Sequence, residues 1–68
     1  MKLSARNVIP GTVLAIVRGQ TTAHVKIGIG SGITLTSSIT VEAVDDLALK
    51  QGDKVSAVIK ASDIIVGK

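Results

Sequence analysis

Ile33-Thr34-Leu35-Thr36-Ser37-Ser38-Ile39-Thr40-Val41-Glu42-Ala43-Val44-Asp45-Asp46-Leu47-Ala48-Leu49 changes its period halfway along. Up to Thr40 the stretch alternates, with Thr34, Thr36, Ser38 and Thr40 on one face. That is the period of a strand, and its β-branched residues suit a pleated surface. Beyond Thr40 the apolar residues fall at Val41, Val44, Leu47 and Ala48, which is helical spacing. A short amphipathic helix is expected over Val41 to Leu49. Thr40 is its N-cap, and Glu42, Asp45 and Asp46 lie in the early turns, where the helix dipole favours acids. Lys50-Gln51-Gly52-Asp53 then stops the helix and turns the chain.

Working outward, Pro10-Gly11 punctuates the end of an opening segment, and Thr12 to Arg18 reads as a buried strand. Gly19-Gln20 makes a turn. From Ala23 to Ile29 the alternation is strict: Ala23, Val25, Ile27 and Ile29 share one face, His24 and Lys26 the other. Gly28 to Gly32 predicts a flexible hairpin loop. Lys54 to Ala61 is a fourth strand, with Val55, Ala57, Ile59 and Ala61 on one side and Ser56, Val58, Lys60 and Ser62 on the other. Asp63 to Gly67 gives a short fifth. The expected architecture is all-β: a five-stranded OB-like Greek-key barrel with one short helix between strands 3 and 4. Residues 1–68 form a single domain on this reading.

A chain of 68 residues buries only about 60% of the surface it exposes when unfolded. Domains this small rely on disulfides, a metal or oligomerisation. With no Cys, disulfides and thiolate metal sites are excluded. One His and five carboxylates show no ligand spacing, so no metal is expected. Oligomerisation remains. Hydrophobic residues make up 46% and charged residues 19%, more aliphatic surface than a small globule can hide. A net charge of +3 suits either ordinary solubility or an anionic partner. Polar residues open the chain before any apolar stretch forms, so no signal peptide is expected. The run Val13 to Val17 is too short to cross a bilayer. The expected location is the cytoplasm, with no membrane partner.

Two polar clusters interrupt the apolar pattern: Ser4-Ala5-Arg6-Asn7, and Lys60-Ala61-Ser62. Both offer hydrogen-bond donors separated by small spacers, and neither contains a carboxylate, although Asp63 follows the second. Arg supplies a planar fork, Lys a point charge, and Ser and Asn short neutral donors. A doubly charged, unprotonated oxyanion wants this kind of set, because it accepts at every oxygen and donates nowhere. Monohydrogen phosphate carries a proton that would go unpaired there. Sulfate can be rejected only by cavity size. On residue chemistry alone a second reading stands beside this one: Arg6 and Lys60 as solvated surface charges, Ser4 and Ser62 as turn formers.

Ser4-Ala5-Arg6-Asn7, a Gly four residues on and an apolar strand resemble the opening of the Mop (molbindin) family. So do Thr21-Thr22-Ala23-His24-Val25, where the family often has an acid in place of His24, and Ile39-Thr40 followed by Val44 and Leu47-Ala48-Leu49-Lys50-Gln51-Gly52-Asp53-Lys54-Val55. Val58-Ile59-Lys60-Ala61-Ser62 completes a resemblance that covers nearly the whole chain. Val8-Ile9-Pro10 departs from it, where a longer polar residue is usual. The resemblance implies molybdate or tungstate as the bound ligand. It also implies a homohexamer, built as a trimer of dimers, with oxyanions between subunits, serving intracellular molybdenum storage or homeostasis. Ser4, Ala5, Arg6, Asn7, Lys60, Ala61 and Ser62 would hold an anion from one subunit, with Asn7 ordering the Arg6 turn. Thr40 would reach the anion from the neighbour. A second kind of anion site at subunit junctions would fall around Gly19 to Thr22.

Competing functions find less support in the residues. A nucleic-acid-binding OB module would stack bases on aromatics, and there are none. Leu47 to Val55 is also similar to a segment of AbrB-like DNA-binding regulators, but Glu42, Asp45 and Asp46 upstream would repel phosphates. For an enzyme, no nucleophile–base pair is recognisable, no catalytic residue is assigned, and the single His24 is expected on an exposed strand face. The glycines of Gly28 to Gly32 lack the following helix and Lys-Ser/Thr of a phosphate-binding loop. Sensor and transport-ATPase regulatory domains of the same fold are usually fused to others. An end at Lys68 therefore favours a free-standing binding protein.

Overall fold

Alternating residues make strands here, and a capped break in the alternation makes the helix. The computed structural model describes residues 2–68. Strands β1 (Asn7–Arg18), β2 (Thr22–Gly30) and β3 (Ile33–Thr40) are followed by helix α1 (Val41–Asp46) and strand β4 (Lys54–Ile59), and a 3-10 turn spans Ala61–Asp63. All pairings are antiparallel, and the sheet order is β3-β2-β1-β4. Three hairpin-linked strands are thus joined by a fourth that returns through α1 to lie beside the first.

β1 serves two partners in succession. Asn7 to Thr12 pairs with Ile59 to Lys54 of β4, and Thr12 to Arg18 pairs with Gly28 to Ala23 of β2. The β1–β2 register shifts between Val13 and Ala15, leaving Leu14 as the extra residue of a bulge. A bulge bends its strand and increases the local twist. The Val13 carbonyl accepts from Gly52 N–H at 2.8 Å, and Val13 N–H donates to the Asp53 carbonyl at 2.9 Å, so the loop before β4 is stitched to the bend. The sheet curls until β3 and β4, its two unpaired edges, face one another across a cleft of about 340 Å³.

The core is small and aliphatic. Ala23, Val25 and Ile27 from β2 bury the face that their alternation predicts, against Val13, Ala57 and Val44 of α1. Val13 and Val44 are the largest side chains to be fully enclosed. α1 begins as expected: Thr40 is extended (φ −71°, ψ 149°), and its Oγ1 accepts from Ala43 N–H at 3.0 Å. It ends three residues before the expected Leu49. Ala48 takes a left-handed conformation at φ 50°, its N–H donates to Asp45, and Leu49 N–H donates to Val44. That paired closure satisfies carbonyls that a helix end otherwise leaves orphaned.

Three further expectations are corrected. Pro10-Gly11 does not end a segment, because β1 runs through it with Pro10 opposite Ser56. At Pro10 the strand has only β4 as a neighbour, since β2 joins at Thr12, so a missing N–H on the other side costs no ladder bond. Gly28–Gly32 is no five-residue loop. β2 continues to Gly30, and a two-residue turn with positive φ at Ser31 (54°) and Gly32 (75°) makes the hairpin. The expected fifth strand over Asp63 to Gly67 is absent among the described residues, and the sheet has four. Asp63 closes the 3-10 turn, and Ile64 is extended, but Ile65 and Val66 lie 93% and 89% exposed. A strand needs a hydrogen-bonded neighbour, and this segment has none within its own chain.

Candidate functional site: donors where the first and last strands meet

The β1–β4 ladder brings the two donor clusters together. Asn7 opposes Ile59, so Arg6 and Lys60 are the residues immediately beyond the last pair. Lys60 keeps an extended backbone (φ −65°, ψ 142°) and caps the 3-10 turn that holds Ala61, Ser62 and Asp63. Its carbonyl accepts from Asp63 N–H at 2.9 Å. Asn7 Nδ2 donates to the Ile59 carbonyl at 3.2 Å, a crossbar between residues 52 positions apart. The amide therefore fixes how the segment carrying Arg6 sits on the segment carrying Lys60. Ser4, Arg6, Lys60 and Ser62 are exposed, Ala5 and Asn7 half-buried, and Ala61 exposed.

Charge at this end is unneutralised within the chain. Among the described residues the ion pair present is Arg18–Asp45 at 2.8 Å, at the far end of β1. Arg6 and Lys60 have no carboxylate within salt-bridge distance, and Asp63, though next to Ser62, pairs with neither. Two cations beside hydroxyls and a carboxamide, open to solvent, form a donor-rich patch. Val8 and Val58 oppose one another in the same ladder and are half exposed, so the patch is flanked by bare aliphatic surface.

Thr40 does not join this cluster within one chain. It pairs with Thr22 at the end of β3 that adjoins α1, while the 12-residue length of β1 runs between that end and Asn7. Its Oγ1 accepts the capping bond, which leaves the hydroxyl hydrogen free to donate. Around Gly19 to Thr22 the surroundings are acidic: Gln20, Thr21 and Thr40 share a hollow of about 510 Å³ with Glu42, Asp45 and Asp46. Within one chain those carboxylates oppose an anion there. His24 is exposed, opposite Ser38, and Lys26 Nζ donates to Thr36 Oγ1 at 2.8 Å. Sequence reasoning missed the partner of the Asn7 amide and the Arg18–Asp45 pair, because both join residues remote in the chain.

Residues 3–66 match the TOBE domain family model. The chain is 39% identical over 66 residues to molybdenum-pterin-binding protein 3 of Clostridium pasteurianum, covering 97% of both chains. This chain belongs to the TOBE-domain family, in its Mop (molbindin) branch. The fold of this Mop chain superposes on a molybdate-binding protein from Sporomusa ovata with a TM-score of 0.94, at 41% identity and full coverage of both. It also matches the cytoplasmic molybdate-binding protein ModG in a form with molybdate bound, with a TM-score of 0.91 and 48% identity, covering 96% of this chain and 46% of that one. Those relatives are named as binding proteins. No helix of the Mop chain is long and apolar enough to cross a membrane among the described residues.

Proposed function

We propose that this chain binds molybdate or tungstate as a homo-oligomeric Mop protein that stores or buffers molybdenum inside the cell. Ser4, Ala5, Arg6, Asn7, Lys60, Ala61 and Ser62 form the donor set of one subunit, and Thr40 is contributed by a neighbour. The assembly is a hexamer, a trimer of dimers. One observation supports this reading: Asn7 opposite Ile59 ends the ladder, so Arg6 and Lys60 follow it on neighbouring strands, with no carboxylate in salt-bridge distance of either.

An exposed patch cannot hold a dianion well against water, because charge pairs in high dielectric gain little. Covering the patch with a neighbour lowers the local dielectric and strengthens each bond. The half-exposed Val8–Val58 pair beside the donors gives a second copy an apolar surface to cover. Hydrogen bonds to a charged group contribute about 1.5–3 kcal/mol each. Four or five exceed the roughly 8 kcal/mol that micromolar binding requires. The chain has no Phe, Tyr or Trp on which a pterin ring would stack best, which favours the bare oxyanion.

Isothermal titration with molybdate, tungstate, sulfate and phosphate, beside a mass measurement in solution, tests the proposal. The expected result is affinity well below millimolar for the two metal oxyanions, much weaker binding of sulfate, and a particle several times 6.9 kDa. No heat with either metal oxyanion, or sulfate bound equally well, refutes the ligand assignment.

A further inference from the structure

One polar hollow takes no part in the donor set at the chain ends. It has a volume of about 600 Å³ and opens where β1 changes partners. Thr12 is paired on both sides there, with Gly28 of β2 and Lys54 of β4, and before it in β1 the pairing with β2 is absent. The β2–β3 register also shifts between Gly28 and Gly30, which leaves Ile29 as an extra residue at the edge of the hollow. Such bulges are frequent at the rims of barrels and next to functional sites. Three polar side chains line the hollow: Lys54, Thr12 and Ser56. Lys54 Nζ donates to Thr12 Oγ1 at 3.1 Å. An ammonium has three donors, so two remain, and the Thr12 hydroxyl hydrogen is free to donate in turn. Among the described residues no carboxylate lines the hollow. The neighbouring acid, Asp53, turns its Oδ2 to the Lys50 N–H at 2.8 Å and forms no ion pair with Lys54. The remaining walls include Pro10, Ile29 and Val55, all apolar.

We propose that this hollow binds the carboxylate of a small aliphatic acid. Lys54, Thr12 and Ser56 hold the head group, and Pro10, Ile29 and Val55 cover the body. Two free donors come from Lys54 and one from each hydroxyl. They match a carboxylate, whose two oxygens have about four lone-pair sites. One ammonium balances one negative charge, whereas the set proposed at the chain ends has two cations for a dianion, so the two places differ in the charge they select. A bare oxyanion would leave the apolar walls in water, and an aliphatic body covers them. The walls contain no aromatic ring, so a flat ring gains no stacking there. A hollow of this size lies within the range of about 300–1,000 Å³ usual for small-molecule sites. Thr12 is five residues along β1 from Asn7, about 17 Å in an extended strand, so the two places are separate. Carboxylate binding here does not depend on molybdate binding at the chain ends.

Amide chemical-shift titration of the full chain, with molybdate in excess, tests the site. Isovalerate is the probe, with acetate as the head alone, isoamyl alcohol as the body alone and sulfate as a dianion. The expected result is saturable isovalerate shifts at Gly11, Thr12, Ile29 and Ser56, with a Kd of about 1 mM or below. Acetate, isoamyl alcohol and sulfate should each bind these positions about tenfold more weakly or worse. Lys54→Met keeps the aliphatic stem and removes the charge. It should weaken isovalerate binding by about tenfold or more, with the molybdate titration and the thermal midpoint unchanged. Shifts that stay linear to the highest concentration overturn the proposal. So does acetate or sulfate matching isovalerate, or full isovalerate binding by Lys54→Met. A chain that does not bind molybdate removes the proposed function alone, because the isovalerate titration is then read without it.

Discussion

The middle of β1 and its two neighbours differ sharply from the joined chain ends. Around Val13, Ala23, Val25 and Ile27 every second residue is enclosed, and the closing helix is fixed at both ends by side-chain and backbone caps. At Ser4–Asn7 and Lys60–Ser62 nearly every side chain is in water, and order rests on one ladder end and one carboxamide crossbar. The first region is held by burial. The second has little burial to lose, and its geometry is inherited from the first. The comparison separates stability from binding: residues that hold the fold lie in one region, and the residues proposed to meet the ligand lie in the other.

The largest expected effect is on affinity. Arg6→Ala and Lys60→Ala should each weaken molybdate binding more than tenfold, the equivalent of losing a charge-assisted hydrogen bond of about 1.5–3 kcal/mol. The denaturation midpoint should barely move, since both side chains are exposed. Titration and chemical denaturation on the same samples make the check, and a variant that loses stability instead would merge the two regions. Val44→Ala should do the reverse. Emptying the most enclosed side chain costs about 2–3 kcal/mol, read as a lower midpoint, while the protein that remains folded binds normally.

Gly11→Ala comes next. An added Cβ would lie 2.6 Å from Ile27 Cγ2 and 2.9 Å from the Gly28 carbonyl oxygen, so β1 and β2 must part, at a cost of about 1–3 kcal/mol. Ala48→Gly runs the other way. Relieving a left-handed non-glycine residue at the end of α1 should stabilise by about 1 kcal/mol, seen as a raised thermal midpoint. The smallest effect is expected for Arg18→Ala. Its ion pair with Asp45 is exposed on both sides and contributes less than about 1 kcal/mol, and the loss should shrink further in added salt.

How much was legible in the sequence follows the same division. The alternation of Ala23 to Ile29, the change of period at Thr40 and its capping role were all readable, because local spacing controls them. The run of β1 through Pro10 was not, since it depends on β2 joining only at Thr12. Nor was the unpaired tail: Asp63 to Gly67 has the composition of a strand, and whether it pairs is decided by a neighbour rather than by its residues. The donor clusters stood out by composition. Their meeting is a matter of register between Asn7 and Ile59, which no local pattern encodes.

The bulge at Leu14 has a mechanical consequence. One continuous strand is gripped by β4 from Asn7 to Thr12 and by β2 from Thr12 to Arg18, with the extra residue just inside the second stretch. Deleting Leu14 would force one half to slide by a single position. A slide of the first half turns its side chains to the opposite face and shifts Arg6 out of its present register with Lys60. The spare residue thus works as a spacer that lets the helix-bearing end and the cationic end each keep its own alignment.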